Sequence, residues 1–288
     1  MTARPVVVVP VYNAADALAA CLDSLLRTLT PADRVLLADD ASPDERIAGL
    51  LEDFRQRAGF VVDIVRRPRN LGFVGNVNAA FRETAPADVV LLNADTVTTP
   101  GWLDRLIACL AADSRIATAT PWSNNAEICS WPTFCQAAPV PDDAELIAAA
   151  AATSGPPSYP QLPTGVGFCM IVRRAALDAL GDFDQATFGR GYGEENDFCR
   201  RAAGHGWRNV LCDDAYVVHR GAASFGPAGH APGGENLQRL CARYPDYNAE
   251  VADFILKDPL APLRERLSRG YAALRDGPSR QQGLFSDI

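Results

Sequence analysis

The sequence predicts an α/β fold in which a mostly parallel sheet is flanked by helices. Through the first ~120 residues, short apolar runs rich in β-branched residues alternate with stretches of helical spacing, which is typical of βαβ units. Hydrophobic residues make up 48% and charged residues 22% of the 288 residues, as in ordinary globular proteins. No apolar run approaches the ~20 residues that a membrane-spanning helix needs.

The predicted strands and helices follow each other in a regular order. Residues 5–9 form a continuous apolar run that predicts a buried strand, and residues 14–29 repeat apolar side chains at helical spacing. Further strands are predicted at 34–38, 60–65, 88–92 and 116–119, and helices at 44–58, at 74–83 and from Pro100 on. Because parallel strands end at one rim of the sheet, a ligand site is expected there.

The composition changes after residue 120. Eight of the 21 prolines lie between Pro121 and Pro163, in a connection that is predicted to carry one alanine-rich helix at 142–152. Thirteen of the 22 glycines lie between Thr164 and Gly234, which favours a site built on loops. From Gly234 on, the pattern predicts two or three amphipathic helices, for which a cap, an oligomer contact and a membrane-surface helix are alternatives.

Charge and cysteine usage narrow the class of partner. The net charge of −8 argues against a nucleic-acid backbone as partner, because proteins that bind one carry basic faces. The eight cysteines form no C-x-x-C pair, which disfavours a zinc ribbon and predicts buried free thiols in a reducing cytosol. With only three histidines in the chain, a metal site would depend mainly on carboxylates.

Polar residues follow each of the first four predicted strands. These strand ends read PVYN (10–13), DDAS (39–42), RNLG (69–72) and NADT (93–96). Such a rim predicts a nucleotide site, yet neither G-x-G-x-x-G after the first strand nor a P-loop motif is present. Another group must therefore neutralise the phosphates, and Asp95 with a divalent cation is the candidate.

Seven segments, in their order and spacing, resemble the inverting glycosyltransferases of family 2, which have the GT-A fold. They are VPVYNA (9–14), LADDAS (37–42), NLGFVGNVNAA (70–80), LLNADT (91–96), TGVGFCMIVRR (164–174), GYGEENDFCRRA (191–202) and His219 with Ser224 and Phe225. The resemblance covers residues 4–225 and is strongest to bacterial rhamnosyltransferase-like enzymes that build O-antigen and capsule glycans.

The resemblance implies a donor site on the first half of the chain. Its expected nucleotide-sugar-binding residues are Pro10, Val11, Tyr12, Asn13, Asp40, Asn70, Gly72, Asn76, Asn93, Ala94 and Asp95. Asp40 would accept a hydrogen bond from the base. Asn93 stands where the family's Asp-x-Asp motif has its first acid, which leaves Asp95 as the one carboxylate to hold Mn²⁺ or Mg²⁺ together with His219.

The resemblance also implies where the reaction takes place. Glu195 matches the second acid of the family's Glu-Asp motif and would be the general base, with Glu194 as the alternative base or as a group that holds the acceptor. Asp197 is interpreted as an ordinary helix partner of Arg201. The other expected acceptor-binding residues are Trp122, Asn124, Gly165 and Gly167.

The resulting hypothesis is a metal-dependent inverting transferase that moves a sugar from a UDP- or dTDP-sugar to a hydroxyl of a glycan or lipid-linked glycan. Residues 1–225 would form the catalytic domain, with its donor half at 1–120 and its acceptor half at 121–225, and 226–288 a helical extension. A homodimer contact and a peripheral contact with the cytoplasmic membrane are both compatible with that extension. The alternatives are a non-catalytic nucleotide-sugar-binding module and a nucleotidyltransferase, although PVYNAAD lacks the glycine-rich signature of the latter.

Overall fold

A computed structural model describes residues 4–189, 191–221 and 234–277. Its main sheet has seven strands in the order β3-β2-β1-β4-β7-β6-β8. Only β7 runs against its two neighbours, so the prediction of a mostly parallel sheet is confirmed. The strands are β1 (Val6–Val11), β2 (Arg34–Asp39), β3 (Val61–Arg66), β4 (Val89–Leu92), β5 (Thr96–Val97), β6 (Ile116–Trp122), β7 (Cys169–Val172), β8 (Arg208–Tyr216) and β9 (Val218–His219).

Eleven helices of four or more residues surround the sheet in the described part of the chain. They are α1 (Ala15–Thr28), α2 (Arg46–Arg57), α3 (Gly72–Glu83), α4 (Trp102–Ala112), α5 (Ala144–Thr153), α6 (Arg174–Leu180), α7 (Gln185–Phe188), α8 (Glu194–Gly204), α9 (Glu235–Arg243), α10 (Tyr247–Lys257) and α11 (Ala261–Asp276). The predicted helices of the first half are all present, with ends displaced by one or two residues.

The core explains why the first strand reads as an unbroken apolar run. Val7 and Val9 belong to one hydrophobic cluster and Val6 and Val8 to another, because successive side chains of a strand point to opposite faces. Both faces of β1 are covered, as expected for a central parallel strand. All eight cysteines are free, and six of them are buried.

A short second sheet joins the two halves of the chain. Strand β5 follows β4 directly and pairs antiparallel with β9, so that Thr96 lies opposite His219 and Val97 opposite Val218. This ladder brings His219 to Asp95, next to the carboxyl end of β4. The site therefore draws on residues that are far apart in sequence.

The last three helices pack onto the body of the protein. Helix α11 lies against α5, and Arg266 of α11 donates to the buried Asp213 of β8 (Nη2–Oδ2, 2.8 Å). Helix α9 lies against α7. Within the described residues, no helix is both long and apolar enough to cross a membrane. The predicted boundary at residue 225, together with Ser224 and Phe225, lies outside the described residues.

Candidate active site

The ends of β1 and β2 form the first part of the predicted donor site. Pro10 and Asn13 are partly exposed, and Tyr12 is 41% exposed. The Val11 side chain is buried, which leaves its backbone as the group available to a ligand. The amide of Asn13 donates to Ser42 Oγ at 2.9 Å, so the loops after β1 and β2 are tied together.

Asp40 is buried at this rim and organises the start of α3. Its Oδ1 accepts a hydrogen bond from the Leu71 amide at 2.7 Å, and its carbonyl accepts one from Asn70 Nδ2 at 3.3 Å. Burial raises the pKa of Asp40, although the amides at the start of α3 oppose that shift. Asn70 is exposed and accepts a hydrogen bond from Gly72, whose φ of +74° suits glycine. Asp40, Asn70 and Gly72 thus lie together.

Asn76 lies behind the rim rather than on it. Its side chain is 1% exposed, donates to the Ala38 carbonyl at 2.7 Å and accepts from Arg67 Nε at 2.9 Å. These bonds tie α3 to β2. The resemblance implies that Asn76 contacts the nucleotide-sugar donor. In this geometry both ends of its side-chain amide are already hydrogen-bonded to protein partners, so it does not provide that contact.

Asp95 and His219 come together at the end of β4. Asp95 is buried, and its Oδ1 lies 3.5 Å from His219 Nε2. Asn93 is partly exposed, and its carbonyl accepts from the Thr96 hydroxyl at 2.7 Å, which shapes the turn that carries Ala94 and Asp95. The sequence motif and the distant histidine therefore meet as the resemblance implied.

The orientation of His219 is fixed by its second ring nitrogen. Nδ1 lies 2.7 Å from the Asn125 carbonyl, an acceptor, which leaves Nε2 as the ring nitrogen that faces Asp95. The imidazole also stacks on Phe168, with ring centroids 5.1 Å apart. Burial lowers the pKa of His219, but the nearby Asp95 and the Asn125 carbonyl outweigh it and raise the pKa above its ordinary value.

These two side chains have the chemistry of a small divalent-metal site. A histidine whose one ring N–H donates to a carbonyl presents its other ring nitrogen as a metal ligand. An imidazole together with a carboxylate suits Mn²⁺. Among the described residues, no group of three His, Cys, Asp or Glu side chains could hold a metal ion. The residues fit a metal that takes its remaining ligands from phosphate oxygens.

Two residues that the resemblance placed at the acceptor have other positions. Asn124 is buried and holds His219 from both sides: it accepts from the His219 amide at 2.9 Å and donates to the His219 carbonyl at 3.0 Å. Trp122 is fully buried, and its Nε1 donates to the Asp213 carbonyl at 3.2 Å. The expectation that Trp122 offers its ring to a sugar conflicts with this burial.

Glu194 and Glu195 begin helix α8 beside a cavity of about 730 Å³ that Glu195 lines. They follow Gly193, whose φ of +116° is a conformation that side chains rarely adopt. The Oε2 atoms of both glutamates are buried and have no hydrogen-bond partner among the described residues. Glu195 itself is partly exposed and lines the cavity, so a ligand there can reach this residue.

The environments of the two glutamates shift their pKa values by different amounts. Burial and the neighbouring charge of Glu195 raise the pKa of Glu194 well above its ordinary value. Burial also raises the pKa of Glu195, but backbone amides and the hydrogen bond from Glu194 oppose that rise. Glu195 is therefore the more acidic member of the pair.

Two successive residues connect Glu195 to His219. A Cβ on Gly167 would lie 3.8 Å from the Glu195 carboxyl group, and the ring of Phe168 stacks on His219. The absence of a side chain on Gly167 leaves room beside that carboxyl group. The expected base and the expected metal ligand thus flank one dipeptide.

Gly165 has mainly a packing role. A Cβ there would come within 2.8 Å of Met170 Sδ, and its amide donates to Cys199 Sγ at 3.2 Å. Its backbone still lines the cavity.

Asp197 is fully buried and pairs with Arg201 at 2.8 Å, which agrees with its interpretation as a helix partner.

The sequence reasoning missed several residues around the cavity. Glu127 lines it with a φ of +47°, unusual for a glutamate, and burial raises the pKa of that carboxyl group. Part of the lining comes from α9 and α10, including Asn236, Arg239, Leu240, Tyr247 and Asn248. Amphipathic spacing indicated these helices, but nothing local showed which surface they cover.

Comparisons with known protein sequences identify the family. The model of the family described as "Glycosyl transferase family 2" matches residues 6–181. Two proteins from strains of Mycobacterium tuberculosis, both named N-acetylglucosaminyl-diphospho-decaprenol L-rhamnosyltransferase, are 34% identical over 109 residues. That match covers 38% of this chain and 32% of theirs, so it spans about a third of the curated relatives' length.

Solved structures share the fold across nearly the whole chain. GalNAc-T7 with UDP, GalNAc and Mn²⁺ has a TM-score of 0.61 at 14% identity, covering 94% of this chain and 55% of its own. The mannosyltransferase PcManGT from Pyrobaculum calidifontis, with GDP-Man and Mn²⁺, has a TM-score of 0.56 at 19% identity, covering 98% and 83%. S. aureus TarS with UDP-GlcNAc scores 0.54 at 15% identity, covering 97% and 92%. These likenesses confirm the predicted GT-A fold.

Proposed function

Because the chain belongs to glycosyl transferase family 2, we propose that it moves a sugar from a nucleoside diphosphate sugar to a hydroxyl of a glycan or lipid-linked glycan acceptor, with inversion at the anomeric carbon. The observation that carries this proposal is that Gly167 leaves space beside the Glu195 carboxyl group while the next residue, Phe168, stacks on the His219 ring. A base and a phosphate-neutralising centre joined by one dipeptide suit a single displacement.

The donor would bind at the ends of β1, β2 and β4. Exposed Tyr12 and the backbone of residues 10 and 11 would contact the base, with Asp40 accepting a hydrogen bond from it. Asn70 and Gly72, at the start of α3, would lie near the nucleoside. The proposed donor is a UDP- or dTDP-sugar, and the class is supported by the fold-level neighbours that hold UDP-GlcNAc and GDP-Man.

Asp95 and His219 would hold Mn²⁺ or Mg²⁺, with Asn93 and Ala94 shaping the turn beside them. When bound, the cation supplies positive charge to the departing diphosphate. Two of the neighbours of the same fold hold Mn²⁺, which supports this assignment. Asn124 and the Asn125 carbonyl fix the histidine in the orientation that this role needs.

Glu195 would act as the general base. The acceptor hydroxyl loses its proton to the Glu195 carboxylate as its oxygen bonds to the anomeric carbon, while the bond from that carbon to the diphosphate oxygen breaks on the opposite face. Protonated Glu194 would hold the carboxylate in place through their shared hydrogen bond. Gly165 and Gly167 leave the space in which the acceptor approaches.

The acceptor class is proposed from the curated relatives, whose names describe rhamnosyl transfer to a lipid-linked diphosphate sugar. A bacterial surface glycan under assembly is therefore the proposed destination of the sugar. The division into a catalytic domain at 1–225 and an extension stays a proposal, modified by the finding that α9 and α10 line the same cavity as Glu195.

A donor panel tests the function directly. The purified chain is incubated with UDP-, dTDP- and GDP-sugars, Mn²⁺ and either alkyl glycosides or a lipid-linked N-acetylglucosaminyl diphosphate, and product is followed by mass spectrometry. We expect transfer from at least one donor, an inverted anomeric centre by NMR, and loss of activity with EDTA. Donor binding without transfer to any acceptor would favour the non-catalytic module, and a retained anomeric configuration would refute the displacement mechanism.

A further inference from the structure

Helix α9 forms a wall of the cavity that contains Glu195. Asn236, Arg239 and Leu240 of α9 line this cavity together with Glu195 and Tyr192. The family match ends at residue 181, so both the wall and α8 lie beyond the matched segment. Because α8 and α9 both contribute lining residues, their relative position determines the shape of the cavity.

One arginine ties the end of α9 to the helix that carries Glu195. Arg243 Nη1 donates to Asp197 Oδ1 at 2.7 Å, and its Nη2 donates to Asp184 Oδ2 at 2.8 Å and to Thr187 Oγ1 at 2.9 Å. Asp197 is fully buried and lies two residues after Glu195 on α8. We call this set of contacts the Arg243 clamp.

The other end of α9 is anchored to the same segment. Asn236 Nδ2 donates to the Phe188 carbonyl at 2.8 Å and to the Gly191 carbonyl at 2.7 Å. Both anchors hold α9 to residues of 184–189 and 191–197, and the second of these ranges contains the two glutamates that begin α8. A shift of α9 at either anchor would therefore move the cavity wall relative to Glu195.

The clamp is electrostatically strong but is not the only support of Asp197. Its hydrogen bonds with Asp197 and Asp184 raise the pKa of Arg243 above its already high value. Asp197 also accepts from Arg201 Nε at 2.8 Å and from the Tyr244 hydroxyl at 2.9 Å. Removal of the Arg243 charge would leave the buried carboxylate paired, so α8 would stay folded while α9 loosens.

We propose that Arg243 is a positioning residue for the acceptor: it clamps α9 onto α8, so that α9 and Glu195 form the facing walls of the cavity in which the acceptor sugar binds. This inference rests on the proposed function, since it assigns the cavity to the acceptor. Arg243 itself is not among the residues that line the cavity, and it acts through the helix that it holds.

The test compares Arg243→Gln with Arg266→Gln, a matched control. Arg266 likewise joins a C-terminal helix to a fully buried aspartate, Asp213, but its helix α11 contributes no residue to the described lining of the cavity. We expect Arg243→Gln to raise the KM for acceptor about 10-fold or more, with the KM for donor unchanged. The reason is that a displaced α9 holds the acceptor less well in its reactive orientation. Arg266→Gln should leave both KM values near those of the unmodified protein, and Arg243→Lys should recover part of the loss.

A second readout needs no activity. Cys241 lies on α9 and is partly buried, whereas Cys135 is exposed and serves as the internal reference. Arg243→Gln should increase the rate of Cys241 alkylation by iodoacetamide relative to Cys135, measured by mass spectrometry, and Arg266→Gln should not. Faster alkylation with an unchanged acceptor KM, or an equal loss in both variants, would refute the inference. Absence of any transfer by the unmodified protein would instead refute the proposed function.

Discussion

The clearest prediction concerns the exchange of Glu194 and Glu195, one at a time, for the isosteric neutral glutamine. The two side chains are adjacent at the start of α8, yet burial raises the pKa of Glu194 further than that of Glu195. In the proposed mechanism Glu194 is the protonated member of the pair, so glutamine at position 194 replaces one neutral group by another. Glutamine at position 195 removes the expected base.

The expected magnitudes differ accordingly. A positioned general base contributes roughly 10²- to 10⁴-fold to the rate, or ~2.7–5.5 kcal/mol of transition-state stabilisation. Glu195→Gln should lower kcat by that factor with little change in donor affinity. Glu194→Gln should retain activity within about 10-fold, since the glutamine amide can still donate a hydrogen bond to the Glu195 carboxylate.

The assay is kcat and kcat/KM for both variants at saturating donor and Mn²⁺, together with the pH profile of the unmodified protein. Burial raises the pKa of Glu195 from its ordinary 4.5, so kcat/KM should fall as the pH drops through a value above 4.5. Equal activity losses in both variants would refute the division of roles. A larger loss in Glu194→Gln than in Glu195→Gln would make Glu194 the base.

Three further predictions follow from the same region. Asn124→Ala should weaken Mn²⁺ binding about 10- to 100-fold by calorimetry, because the His219 backbone loses both of its Asn124 contacts; an unchanged affinity would contradict this. Gly193→Ala should lower the free energy of unfolding in urea by about 1–3 kcal/mol, since φ is +116° and the added Cβ lies 3.0 Å from the Phe188 ring; equal stability would count against strain there. Glu194→Gln should raise the free energy of unfolding at pH 8 but not at pH 4, because a carboxyl group whose folded pKa is raised costs stability as the pH rises above its unfolded pKa. A stability difference between variant and unmodified protein that does not grow with pH would be inconsistent with this.

Sequence patterns were sufficient for most of the fold, because periodicity and turn residues act locally. They also located the paired acids at 194 and 195 and the strand-end motif at 93–95, which are contiguous in the chain. They failed at Trp122 and Asn76. The strand that ends with Trp122 is buried throughout, so no polar alternation distinguished an inward ring from one that faces a ligand. Asn76 sits one turn into a helix, and only the packing of α3 on β2 shows that its amide is already bonded.

The sequence by itself determined the alternating α/β architecture and the candidate chemical groups, since both are written in short stretches of neighbouring residues. Tertiary structure decided which groups meet. Pairing of β5 with β9 brings His219 to Asp95, and Arg243 holds α9 to Asp197, two residues after Glu195 on α8. Such contacts join residues distant in sequence, and their energies depend on burial and on partners supplied by other elements. Local sequence patterns therefore do not predict these contacts, whereas the tertiary structure shows them.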